Sequence, residues 1–294
     1  HTGARFAAGL GVASFGFLLS PLVLASSSEQ IFDVDLAIDG TAAIALFSTA
    51  LLIDGNKHRW SGLSACAGDR RSPTLQEREA FDRMADGDGL CSAAELPRFD
   101  RWSLMSPWRG ASGVSDVLLY SLMAGPIAFS AVDIAAAGAG GQRIGDDLAV
   151  VGQTLGATYL ATVVLKLAVS RPRPLAHSAS FGKFVRFSGD ARLSFPSGHA
   201  SMSFASASVL SVMLAERFGR SSGAVIGISA AYATAATVAI ARVLAQKHFL
   251  SDVLVGAALG TALGLTIPLL HTKTRAPSDG RASSRPVIGI GGVF

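Results

Sequence analysis

This chain is poor in charge. Lys, Arg, Asp and Glu together make up 16% of 294 residues while half are hydrophobic, and a mean hydropathy of +0.43 excludes an ordinary water-soluble domain. Aromatics are also sparse, at 7%. The basic residues are scattered between apolar runs with no aromatic stacking pattern along them, so nucleic acid is the weaker option as a partner. The formal charge of +4 and pI near 9.4 suit anionic lipid or a phosphorylated substrate instead. There are two cysteines, Cys66 and Cys91, both in the longest polar segment. They are a disulfide candidate if that segment faces an oxidising compartment. The chain has no internal repeat.

What is present is a series of uncharged runs with polar residues at their ends. Residues 6–28 carry no charge and read either as a signal peptide or as a membrane anchor, placing a first unit at 1–28. Residues 34–53 are apolar but interrupted by Asp35 and Asp39, which leaves 40–53 uncharged. That is short for a span, so 29–56 reads as a short apolar helix, interfacial or re-entrant, and whether it crosses stays open. Residues 57–115 form a polar extramembrane insert, in which Asp86, Asp88, Gly89 and Glu95 match positions three, five, six and twelve of an EF-hand calcium loop. Met84 stands where that loop needs its first carboxylate, which makes calcium there a weak expectation. Runs at 117–137 (with Asp133 inside), 148–165, 193–215, 221–241 and 253–270 are near the roughly 17 to 25 residues of a spanning helix. They build a membrane core over 116–271, and 272–294 reads as a flexible tail. The expected fold is all-α, a polytopic membrane helix bundle with five to six spanning helices.

Three polar clusters sit at the ends of these runs: Lys166-Leu-Ala-Val-Ser-Arg171-Pro-Arg173-Pro174, then Pro196-Ser197-Gly198-His199, then Arg242 with His248 and Asp252. Charges are costly in a bilayer and gather at cavities or partners. With antiparallel neighbours, Lys166, His199, Arg242 and Asp252 all fall on one face. Lys166, Arg171 or Arg173, Arg242 and a histidine, with one acid among them, make a pocket for a doubly charged oxyanion such as phosphate. Backbone N–H groups opening the helix at Gly198 favour an anion, and Ser197 either donates to it or simply caps the helix. His248 and Asp252 stand four apart, so on a helix the carboxylate would hold one imidazole nitrogen. No metal-ligand set accompanies them, and no cofactor is expected.

Lys-x6-Arg-Pro, Pro-Ser-Gly-His and Arg-x5-His-x3-Asp, in that order between apolar helices, resemble the three signatures of the type 2 phosphatidic acid phosphatase superfamily. Only Ala241, where Ser often precedes the third-signature arginine, departs from the pattern. The resemblance covers about 148–270. It implies a phosphatase core that hydrolyses a lipid phosphomonoester or diphosphate without a metal. It further implies His199 as nucleophile, His248 as acid and base, Asp252 orienting His248, and Lys166, Arg173, Ser197, Gly198 and Arg242 holding the phosphate. Arg171 is extra to the signature and reads as a rim charge. The implied partners are a membrane lipid phosphate and the bilayer. The lipid itself (polyprenyl diphosphate, phosphatidate, phosphatidylglycerol phosphate or lipid A phosphate) and the oligomeric state stay open.

Helix parity puts the 57–115 insert on the same face as the clusters, and its cysteines suggest that this face is extracytoplasmic. Arg143, Arg217, Arg220 and the basic tail fall on the other face. The expected location is a bacterial inner membrane with the site facing the periplasm. Two other readings share the polar clusters. A vanadate-dependent haloperoxidase has the same pocket on a soluble helical fold, and a transporter or lipid-flipping protein would have an anion pocket but no need of both histidines with the aspartate.

Overall fold

The computed structural model describes residues 30–57, 91, 93, 96–108, 110–138, 141–178, 180–181 and 189–273. The presumed leader at 6–28, the calcium-loop residues Asp86, Asp88 and Glu95, Cys66, and the tail beyond 273 lie outside them. The described chain is helical: α1 (Leu36–Gly55), the short α2 (Arg98–Arg101), α3 (Ala111–Ala137), α4 (Gly141–Val169), α5 (Gly198–Phe218), α6 (Ser222–Leu244) and α7 (Leu250–His271), with single 3-10 turns at Trp102–Leu104, Pro174–His177 and Gly189–Arg192. All but α2 are long and apolar enough to cross a membrane. The protein is an all-α integral membrane protein, since in lipid only a helix or a closed barrel satisfies its own backbone.

Small residues decide how the helices stack. α5 runs through the middle against α3, α4, α6 and α7, and its run of alanines and serines lets their backbones come close. Against α7 the fit is tightest. A Cβ built on Gly260 would fall 2.1 Å from the Ser201 carbonyl oxygen and 2.9 Å from the Ala205 nitrogen, and one on Gly256 or Gly264 would meet the same helix at 2.7 or 2.6 Å. Only glycine fits there. Serines within α5 return their hydroxyls to its own carbonyls, as Ser206 does to Met202 at 2.8 Å and Ser201 to Ser197 at 3.0 Å.

Where the sequence leaves 29–56 as a short, interfacial or re-entrant helix, the structure has a helix long and apolar enough to cross. α1 spans 20 residues and lies parallel to α4, with Leu36 against Gly145, Ala43 against Gly152 and Phe47 against Gly156. Neither aspartate shortens it. Asp35 is the N-cap, accepting from the amides of Ala37 and Ile38, and Asp39 accepts from the amide of Asp35 at 2.9 Å. Asp39 also takes a hydrogen bond from Gln153 at 2.8 Å and lies 3.3 Å from His271. Partnered in this way, a carboxylate in the first turn costs the span little. α1 therefore begins beside the start of α4 and the end of α7, and finishes at the other end of the bundle.

Asp133, the charge inside the third run, belongs to a buried cluster at the face where α3 and α5 end and α4 begins. Arg143 donates to Asp133 at 2.8 Å, Arg217 lies 3.2 Å from Asp133 and pairs with Asp147, and the Arg217 guanidinium covers the Phe129 ring at 5.1 Å. Two arginines and two aspartates cancel, as charges inside a bundle must.

Candidate active site

At the opposite face the end of α4, the start of α5, the end of α6 and the start of α7 converge, as the spacing of the three clusters requires. Lys166 closes α4, and its ammonium donates to the Leu193 carbonyl at 2.7 Å. Beyond the helix, Arg173 is buried and held on three sides. Its Nε and Nη2 donate to the carbonyl and carboxylate of Asp190 at 2.8 and 2.9 Å, and its Nη1 to the Lys247 carbonyl at 3.1 Å. Burial raises the Asp190 pKa, but Arg173 and Lys166 outweigh it and hold the carboxyl below its ordinary value. The arginine is thus fixed from behind by the turn at Gly189–Arg192.

Ser197 is fully buried and caps α5, its Oγ accepting from the Ala200 amide at 3.4 Å. A Cβ on Gly198 would meet only Thr162 and Lys166, at 3.6 and 3.7 Å. No protein atom demands a glycine there. The room it leaves opens onto the Lys166 side chain, where an anion would also face the amides at the helix start.

The two histidines differ sharply. His248 precedes α7 and is 1% exposed; its Nδ1 donates to the Ser194 carbonyl at 2.6 Å, which leaves Nε2 with a lone pair. Burial, then Arg173, Lys166 and Arg242, push its pKa well below 6.5, against a smaller pull from Ser194. Asp252 does not hold this ring directly. His248 lies outside the helix, so the four-residue spacing does not bring the two together as on a helical turn, and the Asp252 oxygen is 3.9 Å from Nδ1. The carboxylate instead caps its own helix, accepting from the Phe249 amide at 2.8 Å and from the Ser194 hydroxyl, whose residue carries the carbonyl that grips His248.

Arg171 is also not a rim charge. Its Nη1 donates to Asp252 and its Nη2 to Asp100, both at 2.7 Å, with its guanidinium 4.2 Å over the Phe249 ring. Asp100, 1% exposed, also accepts from the Ser251 amide and hydroxyl at 3.0 and 2.8 Å. A residue of the polar insert therefore reaches the base of the site.

His199 stands in the first turn of α5, its side chain 26% exposed, with Nε2 2.7 Å from an oxygen of Asp116 in α3. Arg242 ends α6, and its Nη1 is surrounded by the opening turns of α3: Ser115 at 3.1 Å, and Ser112 and Asp116 at 3.4 Å. Its buried Nε has no hydrogen-bond partner among the described residues, a donor left for a ligand. Beside the site opens a cavity of about 510 Å³, lined by Pro107, Trp108, Ser112, Ser180, Phe181, Ala245 and Lys247. Lys247 has its pKa lowered by burial and by Arg173.

The structure thus brings together Lys166, Arg173, Ser197, Gly198, His199, Arg242, His248 and Asp252. Sequence reasoning missed Asp100, Asp116 and Ser194. Asp116 had a signal, because it is the charge that opens the apolar run at 117–137 in the same way that the other site residues flank theirs. Cys91 is disulfide-bonded, and its backbone pairs with the site-face turn, its amide with Ala176 at 3.2 Å and its carbonyl with His177 at 3.0 Å. Among the described residues no group of three or more His, Cys, Asp or Glu is placed to hold a metal ion.

A family model described as the PAP2 superfamily matches residues 147–276. A PA-phosphatase related-family protein from Dictyostelium discoideum is 29% identical over 120 residues, covering 39% of this chain and 44% of that protein. The chain thus spans less than half the length of this curated relative. Among solved structures, a transmembrane PAP2 type phosphatidylglycerolphosphate phosphatase from Bacillus subtilis aligns over 78% of this chain and 94% of its own, at 21% identity and a TM-score of 0.40.

Proposed function

We propose, from the match of residues 147–276 to the PAP2 superfamily model, that the chain is a metal-independent phosphatase acting on a lipid phosphomonoester or diphosphate through a phosphohistidine on His248. The observation that carries this reading is the hydrogen bonding of His248. With Nδ1 committed to the Ser194 carbonyl and the ring kept neutral by burial and by three cations, Nε2 is an unprotonated nucleophile inside the anion-binding ring. This exchanges the roles that the sequence suggests. His199, half-buried with an acid at its Nε2, is better suited to move a proton.

The reaction follows from these positions. Lys166, Arg173, Arg242 and the amides opening α5 hold the non-bridging oxygens and stabilise charge as the phosphoryl group transfers. His248 Nε2 forms the P–N bond while the P–O bond to the lipid breaks, and His199 gives its proton to the departing lipid oxygen. His199 then takes a proton from water, whose oxygen attacks phosphorus, and phosphate leaves with His248 restored. Asp252 acts one step back, through Ser194 and Arg171.

The disulfide at Cys91, joined to the site-face turn, supports an oxidising compartment on that side, and hence a periplasmic site in a bacterial inner membrane; with α1 crossing toward the site face, that orientation places residue 30 on the cytoplasmic side and does not go together with a translocated signal peptide or N-in anchor at 6–28. Labelling an introduced cysteine at Arg220 readily from outside would reverse that orientation.

The roles of the histidines are tested by varying the leaving group, with chelator present throughout. His248→Ala is expected to abolish release from both a lipid phosphate and p-nitrophenyl phosphate. His199→Ala should cost about 10²- to 10⁴-fold on the lipid phosphate, the usual worth of a general acid, and far less on the aryl ester, whose leaving group needs no proton. Equal losses on both substrates in His199→Ala, or surviving activity in His248→Ala, would sink the assignment.

A further inference from the structure

We propose that Asp116 is the positioning residue of the acid/base histidine, the acceptor that keeps His199 Nε2 protonated and aimed while the site is empty. The inference rests on the reading of His199 as the proton donor. Its foundation is a cradle made by one turn of α3. Ser112, Ser115 and Asp116 together surround Arg242 Nη1, and Asp116 alone reaches on to His199 Nε2 at 2.7 Å. Three helices, α3, α5 and α6, therefore meet at one carboxylate oxygen.

The need for such a group follows from the charges that face His199. Arg242 lies on α6 and Arg173 in the segment after α4, and both are cations. A general acid must hold its proton before the lipid oxygen leaves, and two neighbouring cations oppose an imidazolium. Asp116 is the carboxylate bonded to His199 among the described residues, and it offsets that opposition. Its side chain is 46% exposed, so it is free to turn aside. When substrate binds, the leaving oxygen takes over as acceptor of the Nε2 proton and receives it as the P–O bond breaks. After the alcohol departs and water has returned a proton to His199, the carboxylate resumes its place. The pair differs from that of Asp252 and His248, in which the carboxylate acts through Ser194.

The test uses the full chain in detergent, with wild type, Asp116→Asn and Asp116→Glu, assayed against a lipid phosphate and p-nitrophenyl phosphate from pH 5 to 9. Asp116→Asn is expected to lower kcat on the lipid phosphate by about tenfold or more, with KM changed by less than about threefold. It should move the alkaline limb of the kcat profile down by about one pH unit, the effect of removing an adjacent opposite charge. Asp116→Glu should restore the limb, and the aryl ester should be nearly unaffected. A limb that does not move, an equal loss on both substrates, or higher activity with tighter orthovanadate inhibition overturns the inference; the last would mean that Asp116 merely fills the phosphate position. A thermal midpoint within about 2 °C of wild type excludes misfolding as the cause. If the wild-type chain releases no phosphate from either substrate, the phosphatase reading falls and this inference with it, whereas an active wild type with an unmoved limb removes the inference alone.

Discussion

The link from Asp100 through Arg171 to Asp252 makes a quantitative prediction, because it ties the polar insert to the base of the site through buried charge. Asp100→Ala removes three hydrogen bonds at once: from Arg171 Nη2 at 2.7 Å, the Ser251 hydroxyl at 2.8 Å and the Ser251 amide at 3.0 Å. Hydrogen bonds to a charged group contribute about 1.5–3 kcal/mol each, but they are not additive, since Arg171 keeps Asp252. Breaking a buried ion pair by deleting one partner costs about 3–5 kcal/mol. Arg171 is 20% exposed, so water screens part of the loss, and the lower end, about 3 kcal/mol, applies. At about 2–4 °C per kcal/mol for a chain of this size, thermal unfolding in detergent should shift down by about 6–12 °C. Asp100→Asn keeps an acceptor for Ser251 and should lose about half as much. Phosphate release at a temperature where both variants are folded should also fall, because Arg171 would then hold Asp252 from one side only. An Asp100→Ala midpoint within about 1 °C of wild type would refute this, since no account of a buried carboxylate with three donors allows so small a loss.

Two further outcomes follow from packing and titration. Gly260→Ala would put a methyl group 2.1 Å from the Ser201 carbonyl oxygen, so α7 must move away from α5. We expect a loss of at least about 1–3 kcal/mol by thermal unfolding, and lower activity because the two helices carry His199 and Asp252 at their starts. His248 has a folded pKa well below 6.5, so the folded state prefers it neutral. Its contribution is fully present above pH 6.5 and is lost as pH falls below that value and the unfolded chain takes up the proton. The fall in thermal midpoint between pH 7 and 5.5 should therefore be smaller in His248→Gln than in wild type.

The apolar runs made the bundle legible, because lipid leaves a spanning backbone few alternatives to a helix. The run at 34–53 misled for a local reason. Counting Asp39 as an interruption treats a charge as unpartnered, whereas Gln153 and His271, each more than a hundred residues away, supply its partners. The positions of Lys166, Arg173, His199 and Arg242 at helix ends were likewise readable, since a charge between apolar runs has few other places to go.

Sequence alone determined which residues meet at one face, because helix length and alternating direction suffice for that. It did not determine what each of them holds. The four-residue spacing of His248 and Asp252 suggested a direct pair, but the helix starts two residues after His248, and Ser194 takes the imidazole while Arg171 takes the carboxylate. Asp100 and Asp116 come from the insert and from the second turn of α3, and each reaches partners more than seventy residues away. Hydrogen bonds are short and directional, so their assignment depends on where separate helices finally pack, and that was decided only by the tertiary structure.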